Sequence, residues 1–349
     1  AIAFLCDQHR LQPWAWQFFI LALLIALADK PVQWHGWQWL TISIYFYSAL
    51  SKFDAGFLHD MGLTFAETAF GGVFARKTGG LPTSPSSIYL LNYAVPWLFP
   101  LGELAVAVLL AFPRSRAWGM YAAIIMHGFL LQILGPFGLN HSHGVLAWNV
   151  FFILQGVTLF MPLRRAEDDS ETAMSFFARF RYRKPASVAS VILMTCVLIW
   201  PATAFLGLCD PWLAWEVYVP PRASAWVRLH RFVRGRERQL YQASVLHPSQ
   251  GMGEYPIRDW SLQTLHVPDY PHLRSTVAAT LELAERFDSG DISMRLYHRK
   301  RWPMGCYETG DELRNADEIH AYARGFWFNA YPTSMYRRAA RERVLKHDG

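Results

Sequence analysis

The sequence predicts an all-α polytopic transmembrane helix bundle of about six spans, followed by a small α+β extramembrane domain. Three observations carry that prediction. Apolar residues make up 52% of the 349-residue chain and charged residues only 17%, a lopsided ratio for a soluble protein. The charge is uneven, with 13 basic and 10 acidic residues up to Leu208 against 20 and 17 in the shorter remainder. Long apolar stretches fall only in the first part. Two solvents are implied, lipid around a bundle at 1–210 and water around a soluble domain at 211–349.

A spanning helix needs about 20 mostly apolar residues to cross about 30 Å of hydrocarbon. In chain order, the stretches that meet or approach this length are 14–28, 37–52, 88–112, 117–134, 145–161 and 188–208. The first two are short, and Asp29-Lys30-Pro31 between them leaves room only for a tight turn, so they read as a helical hairpin. Trp14, Trp34, Trp37, Trp118, Trp200 and Trp212 lie near the ends of stretches, where an amphipathic ring suits the headgroup layer. Ala1-Ile2-Ala3-Phe4-Leu5 reads as the end of a further apolar segment upstream. Residues 53–87 are too polar and glycine-rich to cross, yet they carry Phe57, Leu58, Met61, Phe65 and Phe70. They are expected to lie in the interface and roof the bundle.

Lys30, Arg114, Arg116, Arg164, Arg165, Arg179, Arg181, Arg183 and Lys184 fall on one side of this arrangement, and only Arg10, Arg76 and Lys77 on the other. Because positive loops stay cytoplasmic, the tail domain is expected on the non-cytoplasmic face, with the bacterial inner membrane as the setting. Cys209 then either bridges to Cys6 or Cys306 or remains a buried thiol. The four cysteines lack the paired short spacings of a zinc site, and Asn140-His141-Ser142-His143 reads as a polar turn, so no metal is expected. In the tail, 215–219 and 293–297 read as strands, and 276–287 and 317–326 as helices, the latter capped by Asn315. A tail with 20 basic against 17 acidic residues and no recognisable binding motif excludes nucleic acid as a partner.

Charged groups in hydrocarbon cost about 2.5–3.5 kcal/mol on insertion scales and so face the interior, as buried pairs or functional groups. Lys52, Glu103 and His127 are the candidates. With about 1.5 Å of rise per residue, Glu103 and His127 lie equally deep, which makes a pair between them geometrically possible, while Lys52 sits nearer the outer surface. Thr41, Tyr45, Ser48 and Lys52 share one helix face at steps of four, three and four, and Asn92, Pro96, Phe99 and Glu103 repeat those steps. Thr41, Tyr45, Ser48 and Asn92 are therefore candidate ligand-binding residues, and Lys52 a candidate base.

Tyr45-Phe46-Tyr47-Ser48-Ala49-Leu50-Ser51-Lys52-Phe53 resembles a pattern of the horizontally transferred transmembrane domain family. Its best-known members are the vitamin K-dependent gamma-carboxylases. Gly102-Glu103-Leu104, Pro113-Arg114-Ser115-Arg116, the segment bearing His127, and Gly135-Pro136-Phe137 follow the same order of features. Asp7-Gln8-His9-Arg10-Leu11-Gln12-Pro13-Trp14 is similar to bacterial DoxX-like and MauE-like membrane proteins. The resemblance implies that Lys52 is a base acting on a quinol-type lipid-soluble ligand at the outer half of the membrane; Glu103 and His127 are read beside it as candidate catalytic residues that shape the cavity or relay protons. Partners are then membrane lipid and, on the alternative reading, other subunits of a membrane complex in which this chain is a non-catalytic or assembly component.

Overall fold

The computed structural model describes residues 11–78, 90–161, 185–220, 223–229, 254–257, 270–284, 292–299 and 307–326. They form two units that divide between Val219 and Pro220.

In the first unit, α1 (Pro13–Leu27) and α2 (Lys30–Lys52) form the expected hairpin. Each begins with proline in its first turn, where the missing N–H would have had no helical partner. Two helices follow, α3 (Ala55–His59) and α4 (Met61–Thr78). Asp54 starts α3 by accepting from the backbone N–H groups of Gly56 and Phe57. A π turn (Leu90–Ala94) and a 3₁₀ turn (Val95–Trp97) lead into α5 (Leu98–Ala111). Then come α6 (Arg116–Leu134), α7 (His143–Phe160) and α8 (Pro185–Ile199), which tightens into a 3₁₀ segment (Trp200–Leu206).

Four stretches among the described residues are long and apolar enough to cross a membrane: Asn92–Ala111, Arg116–Leu134, His143–Phe160 and Val188–Leu206. The α1 helix is apolar but shorter. The α2 helix has ample length at 23 residues, but polar side chains dilute its hydropathy. Those polar side chains point inward. Gln38, Thr41, Ser43, Ser48, Ser51 and Lys52 are buried because α2 packs against α1, α5, α7 and α8. Ile25, Trp118, Ile125, Leu154 and Ile192 are meanwhile exposed. Buried polar side chains beneath an apolar exterior match a bundle solvated by lipid.

Close helix approach depends on Gly119. A Cβ there would stand 2.8 Å from the main-chain nitrogen of Leu110, across the short α5–α6 turn. The α4 helix packs Phe65 and Ala66 onto Ile133, Leu134, Val95 and Phe99; residues 79–89 lie outside those described.

The second unit holds a four-stranded antiparallel sheet in the order β2-β1-β3-β4, with β1 (Ala223–Leu229), β2 (Glu254–Pro256), β3 (Ile292–Arg299) and β4 (Tyr307–Leu313). Helices α9 (Leu273–Ala284) and α10 (Ala316–Ala323) share its core. Ala225 and Val227 from β1, and Ile292, Met294 and Leu296 from β3, meet Val277, Leu281 and Ile319 there. The period-two alternation is that of a half-covered sheet. Asn315 caps α10 by accepting from the Glu318 N–H at 2.9 Å, as expected.

The expected strand at 215–219 does not form. Trp215 and Tyr218 adopt left-handed backbone, with φ of 62° and 64°, and Trp215 is fully buried in the core of the bundle. This is why the division between units falls after Val219 and not at 210. Cys6 and Cys306, the two alternatives for a bridge to Cys209, lie outside the described residues. Replacing Gly119 by Val should destabilise the bundle by about 1–3 kcal/mol, because no rotamer removes a clash with backbone. Unfolding in detergent micelles measures this, and an unchanged midpoint would show that α5 and α6 do not approach as described.

Candidate functional site

The site is assembled by the directions in which side chains leave their helices. Helical side chains lean toward the N-terminus of their own helix. Lys52 therefore reaches back over the preceding turn, where its Nζ donates to Ser48 Oγ at 2.6 Å and to the Ser48 carbonyl at 3.4 Å. Short turns make α5 antiparallel to α6, and α6 antiparallel to α7. Hydrogen bonds from Gln38 to the Leu159 carbonyl and from Tyr45 to His127, which is bonded to Asn149, set α7 antiparallel to α2. Glu103 on α5 thus leans toward Lys52, and its two carboxylate oxygens accept from Nζ at 2.7 and 2.9 Å. The side chains are 3% and 13% exposed. The three N–H groups of the ammonium are occupied by these acceptors, and the Phe57 ring lies 5.9 Å from it.

The Glu103–His127 pair that equal depth allowed does not form. Counting rise along the helix compares Cα depths and ignores opposite side-chain lean, which here closes the offset between Lys52 and Glu103 and turns Glu103 away from His127. His127 is engaged elsewhere. Its Nε2 lies 2.8 Å from the Tyr45 hydroxyl and its Nδ1 2.8 Å from Asn149 Oδ1, while its ring stacks on Phe152 at 4.9 Å and 7°.

Both polar groups line one cavity of about 60 Å³. Tyr45, Ser48, Lys52, Glu103, His127 and Asn149 supply its polar wall. Phe65, Phe99, Trp148, Phe152, Val217 and Tyr218 are among its apolar lining. Tyr218 is wedged edge-on between Phe65 and His141, at 5.3 and 5.7 Å. Burial pushes the Tyr218 phenol above its ordinary range and the His141 imidazole below its own, so both remain neutral at pH 7.

Two of the expected ligand-binding residues stand apart from the cavity. Thr41 lies one turn before Tyr45, donates to the Trp37 carbonyl at 2.8 Å and accepts from Gln155 at 3.0 Å. It belongs to a second polar chain, in which Trp148 donates to Gln17 at 2.7 Å and Gln17 to Gln155 at 2.8 Å. Asn92 sits in the π turn, where the period-3.6 spacing that aligned it with Glu103 does not hold. Asn149, Trp148 and Gln155 escaped the sequence reading because α7 carries no charge. Three polar side chains in an apolar span were the available signal.

The fold and the site together define an integral membrane protein: a bundle of membrane-length apolar helices enclosing a buried ion pair and a buried tyrosine–histidine–asparagine cluster. Comparison with protein-family models, with curated proteins and with solved structures found no match.

Lys52→Met alone should destabilise the bundle by about 3–5 kcal/mol, since it leaves the Glu103 carboxylate buried without its counter-charge. The double variant Lys52→Met/Glu103→Leu should recover most of that loss, because apolar replacement of a whole buried pair is often neutral. Denaturant titration in micelles reads both, and a single variant as stable as the parent would mean that the pair is solvated.

Proposed function

We propose that this chain binds a lipid-soluble ligand with a protic, quinol-type head group, and that the Lys52–Glu103 pair is the acid–base unit acting on it. The observation that carries the reading is an ion pair set in the wall of a cavity inside an apolar bundle. A purely structural pair gains nothing from a cavity beside it, and an apolar replacement would be about as stable.

The chemistry follows from charge. Glu103 can accept the proton of a ligand hydroxyl while the Lys52 ammonium faces the oxyanion left behind, so the net charge of the cavity is unchanged. The amine itself becomes a base only after its proton passes to Glu103 across the 2.7 Å hydrogen bond. Either way, the pair is the functional unit. A cavity that holds benzene measures about 150 Å³, so a space of about 60 Å³ admits the hydroxyl-bearing edge of a ring and leaves the rest among the lipid-facing side chains.

On this reading the chain is a gamma-carboxylase-like member of the horizontally transferred transmembrane domain family. The α1 and α2 helices complete six spans, and the second unit lies on the non-cytoplasmic face of a bacterial inner membrane. Titrating the nanodisc-embedded protein with a short-chain hydroquinone should quench fluorescence from Trp148, which lines the cavity. The Lys52→Met/Glu103→Leu variant should bind about 10- to 100-fold more weakly, as expected for losing one charge-assisted hydrogen bond of about 1.5–3 kcal/mol. Equal binding by parent and variant would overturn the reading and favour a non-catalytic subunit whose interior pair is structural.

A further inference from the structure

We infer that Asn149 is a positioning residue: it fixes His127 as the Nδ1–H tautomer and thereby turns the Tyr45 hydroxyl hydrogen toward His127 Nε2, leaving the phenol oxygen with only lone pairs to offer the cavity. This assignment rests on three hydrogen bonds and holds whether or not a ligand binds.

It begins at Val145. The side-chain amide of Asn149 lies 2.9 Å from the Val145 carbonyl, one turn earlier on α7. A carbonyl oxygen only accepts, so the amide group facing it must be the NH₂. The reverse placement would set two oxygens against each other in a buried site, at a cost of about 1–3 kcal/mol. The Asn149 oxygen is therefore the atom that faces His127 Nδ1 at 2.8 Å. Because an amide oxygen also only accepts, Nδ1 must carry the hydrogen. In a neutral imidazole the other nitrogen is then bare, and Nε2 accepts from the Tyr45 hydroxyl at 2.8 Å.

Each member is held by something other than its partner. Asn149 is anchored by its own helix, the His127 ring is stacked on Phe152, and the Tyr45 ring also packs against Phe152 at 5.5 Å. The direction of the chain is set at Asn149 and read out at Tyr45. A polar group that meets Tyr45 in the cavity must consequently bring its own hydrogen. Ser48, on the same face of α2, differs: its oxygen accepts from Lys52 Nζ, which leaves its hydroxyl hydrogen to donate.

Nitrogen NMR of ¹⁵N-histidine-labelled protein in nanodiscs tests this directly, with the His127 signals identified by magnetisation transfer to ¹³C-labelled asparagine. The parent protein should show His127 protonated at Nδ1 and bare at Nε2. Tyr45→Phe should keep that pattern, whereas Asn149→Leu should lose the Nδ1–H signal and move the proton to Nε2. A parent spectrum with the proton on Nε2 would overturn the assignment, as would an Asn149→Leu spectrum that retains Nδ1–H. The parent spectrum alone decides the tautomer should Asn149→Leu fail to fold.

Discussion

One ammonium and one carboxylate removed from water together constrain the whole bundle. Desolvating each ion costs several kcal/mol, and the attraction between them offsets this only when the geometry is good and the remaining donors are satisfied. Lys52 meets that condition because Ser48 lies one turn behind it and Glu103 leans in from an antiparallel helix. The pair thus fixes the rotation of α2 against α5. It also explains why the C-terminal end of α2 must be buried, beneath α3, with Asp54 and Phe57 closing the turn.

Most of the polar interior obeys the same constraint in weaker form, the buried Trp37 and Trp215 indole N–H groups being exceptions. Within lipid, a polar side chain without a partner has no water to fall back on, and the α2 face resolves this in two tiers. At one level Tyr45 is tied through His127 to Asn149; one turn away, Thr41 is tied through Gln155 and Gln17 to Trp148. These chains cross-link α1, α2, α6 and α7 where hydrophobic contact alone would distinguish poorly between one helix neighbour and another. The cavity lies where the first tier meets the ion pair.

Much of this was legible in the chain, and for identifiable reasons. Membrane-length apolar runs, the Asp29-Lys30-Pro31 turn and the polar stripe Thr41, Tyr45, Ser48, Lys52 all depend on local spacing, which a sequence displays directly. What it concealed was lean and partnership: that Lys52 reaches back to Glu103, and that His127 turns to α7, follow from helix direction and from uncharged residues such as Asn149. Asn92 failed for a local reason, since Pro96 and the π turn break the regular helical step. In the tail, β4 escaped notice because Tyr-Glu-Thr-Gly-Asp-Glu-Leu is acidic and interrupted by glycine, a composition depleted in strands. Trp215 to Val219, by contrast, is rich in strand-forming residues yet forms no strand, because burying Trp215 in the bundle overrides local preference.

The central claim is that Lys52 and Glu103 are paired inside the apolar bundle, beside a cavity. A cryo-electron microscopy map of the chain in lipid nanodiscs, resolved to side chains, tests it most directly. The account predicts continuous density joining Lys52 Nζ to the Glu103 carboxylate within the hydrocarbon layer, with His127 turned away toward Asn149. Lys52 extended into the headgroup region, with Glu103 facing another partner, would contradict it.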